Sequence, residues 1–252
     1  MVDFDLTGKT ALITGASRGI GEEIALTLAD HGAHCILVSR KLDALEAVVA
    51  KIRAKGGQAD AITAHVGYVD KIAALFGEIK ERFGRLHILV NNAATNPYFG
   101  EMLGVDEGAW NKTFDVNLKG PFFMIQQAIP LMVEEGGGSI VNVASIAGLK
   151  PEMLQGIYSI TKAALIHATK AWAKELAAKN IRVNALLPGL TETKFSEVLI
   201  ETKDIYELAL QTIPMGRHAQ PSEMAGAVLF LVSDASSFTT GTYIVCDGGM
   251  TI

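Results

Sequence analysis

Apolar runs rich in Val, Ile and Leu alternate along this chain with longer amphipathic stretches. Runs at residues 10–14, 34–38, 60–64, 87–90, 139–143, 181–187 and 241–245 read as short buried strands. Between them, residues 22–31, 42–55, 70–83, 110–129 and 163–178, and a segment starting near Pro221, carry helical spacing. Strands alternating with helices of this length predict an α/β fold, a parallel sheet covered on both faces. Ligands of such a sheet bind beyond the C-terminal strand ends, and Gly15, Arg40, Asn92, Ser145 and Pro188 all fall there.

The first strand runs directly into Gly15-Ala16-Ser17-Arg18-Gly19-Ile20-Gly21 and then a helix. Glycines there permit a tight turn and let backbone approach a pyrophosphate, whose charge the helix N-terminus meets. An ordinary strand-to-helix turn has the same appearance. The second strand ends at Ser39-Arg40-Lys41, where a dinucleotide fold places the residue that reads the adenosine ribose. A carboxylate there would bind the ribose hydroxyls of NAD. This chain has none, and Ser39, Arg40 and Arg18 offer hydroxyl and guanidinium donors suited to a 2′-phosphate. NADP(H) is therefore the expected cofactor, with NAD the alternative.

Candidate chemistry concentrates between Ser145 and Lys162. Ser145 follows the strand at 139–143, while Tyr158 and Lys162 stand four apart on one helical face. A phenol with an ordinary pKa near 10 needs a neighbouring cation to exchange protons near neutrality, and Lys162 would supply it. Ser145 would hydrogen-bond the oxygen that Tyr158 protonates or deprotonates. A Tyr and a Lys four apart are also common on helix surfaces, so spacing alone leaves both readings open.

Composition narrows the field of partners. The 252 residues are 49% apolar and 19% charged, which suits one large soluble domain over 1–252. A net charge of −5 gives no attraction for phosphodiester backbones, so no nucleic-acid partner is expected. The N-terminal stretch Met1-Val2-Asp3-Phe4-Asp5 carries acids and no long apolar run, and no span of membrane length occurs elsewhere; a cytoplasmic protein without membrane contact is expected. Cys35 and Cys246 both sit in apolar runs and read as buried free thiols, with no disulfide and no metal site expected.

The chain resembles the short-chain dehydrogenase/reductase family over essentially its whole length. The resemblance is carried by Thr14-Gly15-x-x-x-Gly19-x-Gly21, Asn91-Asn92-Ala93, Asn117, Ser145, Tyr158-x-x-x-Lys162 and Pro188-Gly189, in the family's order. It implies a Rossmann-type doubly wound parallel sheet of about seven strands. It also implies hydride transfer between a nicotinamide and a carbonyl or alcohol carbon. Tyr158 would be the general acid or base, Ser145 would position the substrate oxygen, and Lys162 would depress the phenol pKa while holding the nicotinamide ribose. Asn117 would anchor a water in a proton relay. Leu190 with Thr191 or Thr193 would contact the nicotinamide amide, and a lid over residues 190–215 would cover the substrate. Ile20, Val66, Ala93 and Ala94 complete the cofactor wall that the resemblance implies. Ser39 to Lys41 and residues 91–100 look most like the NADP-dependent carbonyl-reductase branch, acting on ketones, aldehydes and dicarbonyls, and the family commonly forms homotetramers. NAD-linked alcohol oxidation and a non-catalytic dinucleotide sensor remain as alternatives. Two departures stand out. His65 occupies the position where relatives carry an Asp that contacts adenine, and its protonation would make adenine binding depend on pH near 6.5. Ala94 stands where many relatives have glycine.

Overall fold

The computed structural model describes residues 3–252; Met1 and Val2, at the head of the acid-bearing N-terminal stretch, lie outside the described residues. Strands β1 (Thr10–Thr14), β2 (His34–Ser39), β3 (Gln58–Thr63), β4 (Ile88–Asn91), β5 (Gly138–Val143), β6 (Ile181–Pro188) and β7 (Tyr243–Cys246) form one seven-stranded sheet in the order β3-β2-β1-β4-β5-β6-β7. Every pairing is parallel. The chain therefore reverses its direction of travel between β1 and β4, which opens a crevice at their C-terminal ends.

The helices are α1 (Gly19–Asp30), α2 (Leu42–Ala54), α3 (Val69–Phe83), α4 (Glu107–Phe114), α5 (Gly120–Glu134), α6 (Gly156–Leu176), α7 (Glu197–Glu201), α8 (Lys203–Gln211) and α9 (Ser222–Val232). Strand side chains alternate between the two faces, and the core divides accordingly. Ala11, Ile13, Cys35 and Leu37 face one layer with α1, α2 and α9. Leu12, Ile36, Val38 and Leu89 face the other with α3, α5 and α6. Both faces of the central strands are covered, so β1, β2 and β4 read as nearly continuous apolar runs, while the edge strands β3 and β7 are only partly buried.

Three departures from the expected elements have physical causes. The stretch at 110–129 is two helices joined by a π-helical turn over Asp115–Lys119, because one inserted residue shifts the hydrogen-bond ladder without altering the apolar pattern. The last strand starts at Tyr243, not Gly241: Gly241 adopts φ +74, outside the extended region, though its N–H still reaches the Val183 carbonyl (2.8 Å) on β6. The segment 195–214, unreadable from its mixed composition, holds α7 and α8. Among the described residues no helix is long and apolar enough to cross a membrane.

Candidate active site

The glycine turn packs against the end of β4. Gly15 has φ +65, and a Cβ there would lie 2.8 Å from Asn92 Nδ2 and 3.0 Å from Ala93 Cα, so only glycine fits. Asn92 closes the arrangement: its Nδ2 donates to the carbonyls of Thr14 (2.9 Å) and Gly15 (3.3 Å). The Thr14 hydroxyl accepts from the N–H groups of Asn92 (2.9 Å) and Ala93 (3.0 Å). Thr14, named in the sequence only as the first residue of the glycine motif and given no role there, joins β1 to the end of β4 through its buried hydroxyl. α1 begins at Gly19, so its first N–H groups lack intrahelical acceptors and face this turn. A methyl on Gly19 would sit 3.2 Å from Thr193 Cγ2, which places the loop after β6 directly over the turn.

At the end of β2, Ser39 is half-buried while Arg40 and Lys41 are exposed. Among the described residues neither Arg18 nor Arg40 enters an ion pair, leaving two guanidinium groups at the edge of the crevice. His65 follows β3; Nδ1 accepts from the Gly67 N–H (3.1 Å) and its ring lies 4.6 Å from that of Tyr68. Burial and then the Arg40 cation lower its pKa, so its titration falls below the pH near 6.5 expected from sequence. Val66 beside it is buried, whereas Ala94 is exposed beyond β4.

Asn117, Ser145, Tyr158 and Lys162 come together beyond β4 and β5. Asn117 lies in the π-helical turn, where its Oδ1 accepts from the Thr95 N–H (2.8 Å) and its Nδ2 donates to the Thr95 carbonyl (2.9 Å) and the Thr161 hydroxyl (3.2 Å). Thr161 in turn donates to the Tyr158 carbonyl (2.7 Å), so Asn117 ties α6 to the loop after β4. Ser145 is extended, and its Oγ accepts from the Ala147 N–H (3.1 Å), which opens a short 3₁₀ turn over Ile146–Gly148. Lys162 is 2% exposed and donates to the Val143 carbonyl (2.8 Å), the last residue of β5. Its Nζ stands 5.4 Å from the Tyr158 ring centroid. Phe195 lies against that ring, at 5.4 Å between centroids and with the planes inclined at 41°.

Burial governs both titratable groups. It pushes the Tyr158 phenol up to about 12, opposed in part by the Ser145 hydroxyl. It brings the Lys162 ammonium down to about 7. The depression of the phenol expected from Lys162 is not seen in this state of the site: desolvation dominates the phenol, and the amine, itself buried, holds its proton weakly near neutrality.

After β6, the Gly189 N–H donates to the Cys246 carbonyl (2.9 Å), and Asp247 closes the following turn by accepting from Gly249, which makes it structural. Thr191 turns its hydroxyl onto the Gly189 carbonyl (3.1 Å), and Ser196 binds the Thr191 carbonyl. Leu190 accepts from the Ala219 N–H (2.9 Å), so the loop is paired with the chain that returns after α8. These residues thus follow the C-terminal ends of neighbouring strands, with His65, after edge strand β3, at the end remote from Tyr158.

A doubly wound seven-stranded sheet with this glycine turn and a Ser, Tyr and Lys at one crevice defines a class of dinucleotide-fold oxidoreductases. A family model described as enoyl-(acyl carrier protein) reductase matches residues 15–251. Dehydrogenase/reductase SDR family member 4 of Oryctolagus cuniculus is 41% identical over 97% of this chain and 94% of its own length. A short-chain type dehydrogenase/reductase from Mycobacterium marinum superposes with TM-score 0.93 at 39% identity, covering 98% of this chain and 97% of that one. A gluconate 5-dehydrogenase from Burkholderia cenocepacia J2315, in complex with NADP and tartrate, superposes with TM-score 0.95 at 32% identity, covering 99% and 98%. The chain belongs to the short-chain dehydrogenase/reductase family.

Proposed function

We propose that this protein is an NADP(H)-dependent oxidoreductase that interconverts a ketone, aldehyde or dicarbonyl and the corresponding alcohol, as in the family's carbonyl-reductase branch. The observation that carries the reading is the convergence of Ser145, Tyr158 and the buried Lys162 at the end of β5, beside the crevice that begins at the glycine turn. The glycine cradle, which a Cβ at Gly15 would fill, suits a pyrophosphate. Gly15, Ser17, Arg18, Gly19, Ile20 and Gly21 would hold it, with Ser39, Arg40 and Lys41 on the adenosine side and Pro188, Gly189, Leu190, Thr191 and Thr193 on the nicotinamide side. Among the described residues Arg18 and Arg40 have no ion-pair partner, which supports a 2′-phosphate over bare ribose hydroxyls. A nicotinamide dinucleotide supplies the hydride when bound.

The chain's own residues manage the proton. Tyr158 is neutral at physiological pH and so stands ready as an acid in the reductive direction. Ser145 donates to the same substrate oxygen and holds it against the phenol. As the proton leaves, the charged form of Lys162, its Nζ 5.4 Å from the ring centroid, stabilises the phenolate, and the Val143 carbonyl fixes where that charge sits. Asn117 positions Tyr158 through Thr161 and the Thr95 backbone. The segment over residues 190–215, with α7 and α8, would act as a lid that excludes water.

A cytoplasmic location, supported by two free cysteines, and a homotetramer belong to the same proposal. Exposed Phe122 and Ile160 on α5 and α6, and Phe238 near β7, offer apolar area for a second copy. Parallel rates of NADPH and NADH oxidation over a carbonyl panel test the function, with Arg40→Ala as the control. NADPH preference that collapses at least about tenfold in Arg40→Ala agrees with a phosphate contact of the strength of a charge-assisted hydrogen bond. Equal loss with both cofactors removes the phosphate role.

A further inference from the structure

One side of the sheet runs β3-β2-β1, with the glycine turn at the end of β1 and Ser39, Arg40 and Lys41 at the end of β2. A dinucleotide laid across those ends sets its pyrophosphate on the first and its adenosine ribose on the second, so its base falls at the end of β3. His65 stands there. The ladder carries it to that place: Ser39 pairs with Thr63, and the Ala64 N–H donates to the Ser39 carbonyl (3.0 Å), which brings His65 beside Arg40. The Arg40 cation acts electrostatically on the imidazole, in keeping with that placement.

The imidazole is held in one orientation and one tautomer. Its Nδ1 accepts from the Gly67 N–H (3.1 Å), and the Tyr68 ring flanks it at 4.6 Å. A Cβ on Gly67 would lie 3.0 Å from its Cε1, so a glycine at 67 gives the ring room over this turn. With the Nδ1 lone pair engaged, the proton of the neutral ring sits on Nε2. Burial and then Arg40 lower the pKa from 6.5, while Lys112 and Asp115 act in opposite senses, so the neutral ring is the form present at physiological pH. Moving the proton to Nδ1 would set two N–H groups against each other at Gly67. The half-buried His65 ring therefore presents a donor to the base, where a carboxylate would present acceptors only.

Purines differ in what they return to such a group. Adenine carries an amino donor at C6, with acceptors on its ring nitrogens; hypoxanthine carries an oxygen acceptor at C6. A carboxylate would accept from the amino group and reject the oxygen. An N–H finds an acceptor on either base and gains nothing from the amino group.

We propose that His65 is the specificity-determining residue for the base of the dinucleotide: its Nε2–H donates to a purine acceptor, the amino group of adenine goes unread, and a 6-oxopurine dinucleotide binds as well as the adenine one. The inference rests on the dinucleotide-binding reading and deepens it at the end of the crevice remote from Tyr158.

The test is the dissociation constant, by nucleotide fluorescence without any carbonyl present, of NADPH and of reduced nicotinamide hypoxanthine dinucleotide phosphate. Both probes carry the same 2′-phosphate, so the Arg40 contribution cancels in their ratio. The wild-type protein should bind the two within about threefold of each other. His65→Asp, which exchanges the donor for acceptors, should favour NADPH by about tenfold or more, the strength of one hydrogen bond to a charged group. His65→Phe keeps a ring beside Tyr68 but has no N–H, and should weaken both probes by a similar factor of about five. A wild-type preference for NADPH of tenfold or more, a ratio unmoved in His65→Asp, or wild-type affinity for both probes in His65→Phe overturns the inference and leaves the dinucleotide reading in place. Failure of the wild-type protein to bind either probe overturns the dinucleotide reading and this inference with it.

Discussion

Replacing Lys162 by methionine isolates the free energy stored in a buried amine. The folded-state pKa of Lys162 is about 7, against 10.5 for the unfolded chain, so the folded state binds fewer protons across that interval. Stability therefore rises with pH between about 7 and 10.5, and falls to its lower plateau below about 7, where both states carry the proton. The slope is about 1.4 kcal/mol per pH unit, so raising the pH from 7 to 9 adds on the order of 2 to 3 kcal/mol from this residue alone. Methionine fills similar volume, cannot titrate, and forgoes the bond to the Val143 carbonyl, whose loss costs about 1 to 3 kcal/mol at every pH. Urea unfolding of both proteins, without cofactor and at one protein concentration, at pH 7, 8 and 9, measures the difference. Lys162→Met should gain most on the wild type at pH 7, and its advantage should shrink by about 1 kcal/mol or more per unit toward pH 9. A difference between the two proteins that stays constant with pH would refute the reading of Lys162 as a desolvated amine.

Other consequences can be measured separately. His87 sits far from the crevice, its Nδ1 accepting from the Thr10 N–H (3.0 Å) and its Nε2 facing Glu135 (3.1 Å). Burial, Lys9 and Arg85 lower its pKa from 6.5 against the pull of Glu135, so the stability it contributes is present above 6.5 and is lost as pH falls through and below that value. His87→Gln, which keeps acceptor and donor, should flatten thermal stability between pH 5 and 7; an unchanged acid slope would count against it. Tyr206 on α8 bonds His218 Nδ1 (2.6 Å), and His218 Nε2 meets Glu192 (3.1 Å), which pins the lid segment to the loop after β6. His218→Ala should raise the KM for the carbonyl several-fold with a smaller change in kcat, as read from initial-rate curves; a purely kcat effect would contradict the latch.

The strands were legible because covered sheet faces write β1, β2 and β4 as nearly continuous apolar runs, and β5 and β6 as apolar runs interrupted by buried polar residues such as Asn142 and Asn184. Gly15, Gly19 and Gly21 were legible because their spacing records a backbone that has no room for a methyl. What escaped depends on partners distant in sequence. The helical pattern around Asn117 conceals a π-helical turn, since an extra residue in the ladder leaves polarity unchanged. Spacing alone left Lys162 either a helix-surface residue or the cation that acts on Tyr158; its burial, and so its pKa of about 7, follows from α6 lying across the end of β5. Phe195 stood only as the edge of a mixed segment, and nothing local to it signals a ring 5.4 Å from that of Tyr158. The His65 titration was placed near 6.5 from residue type alone, and its shift downward comes from burial and Arg40.

The central claim is that Tyr158 delivers the proton in carbonyl reduction. The most direct measurement is single-turnover oxidation of NADPH by propiophenone in wild type and Tyr158→Phe, alongside cofactor affinity by nucleotide fluorescence. The account predicts unchanged affinity and a rate lowered by at least about a hundredfold, the usual scale of a lost general acid. A Tyr158→Phe protein that turns over at the wild-type rate would contradict it.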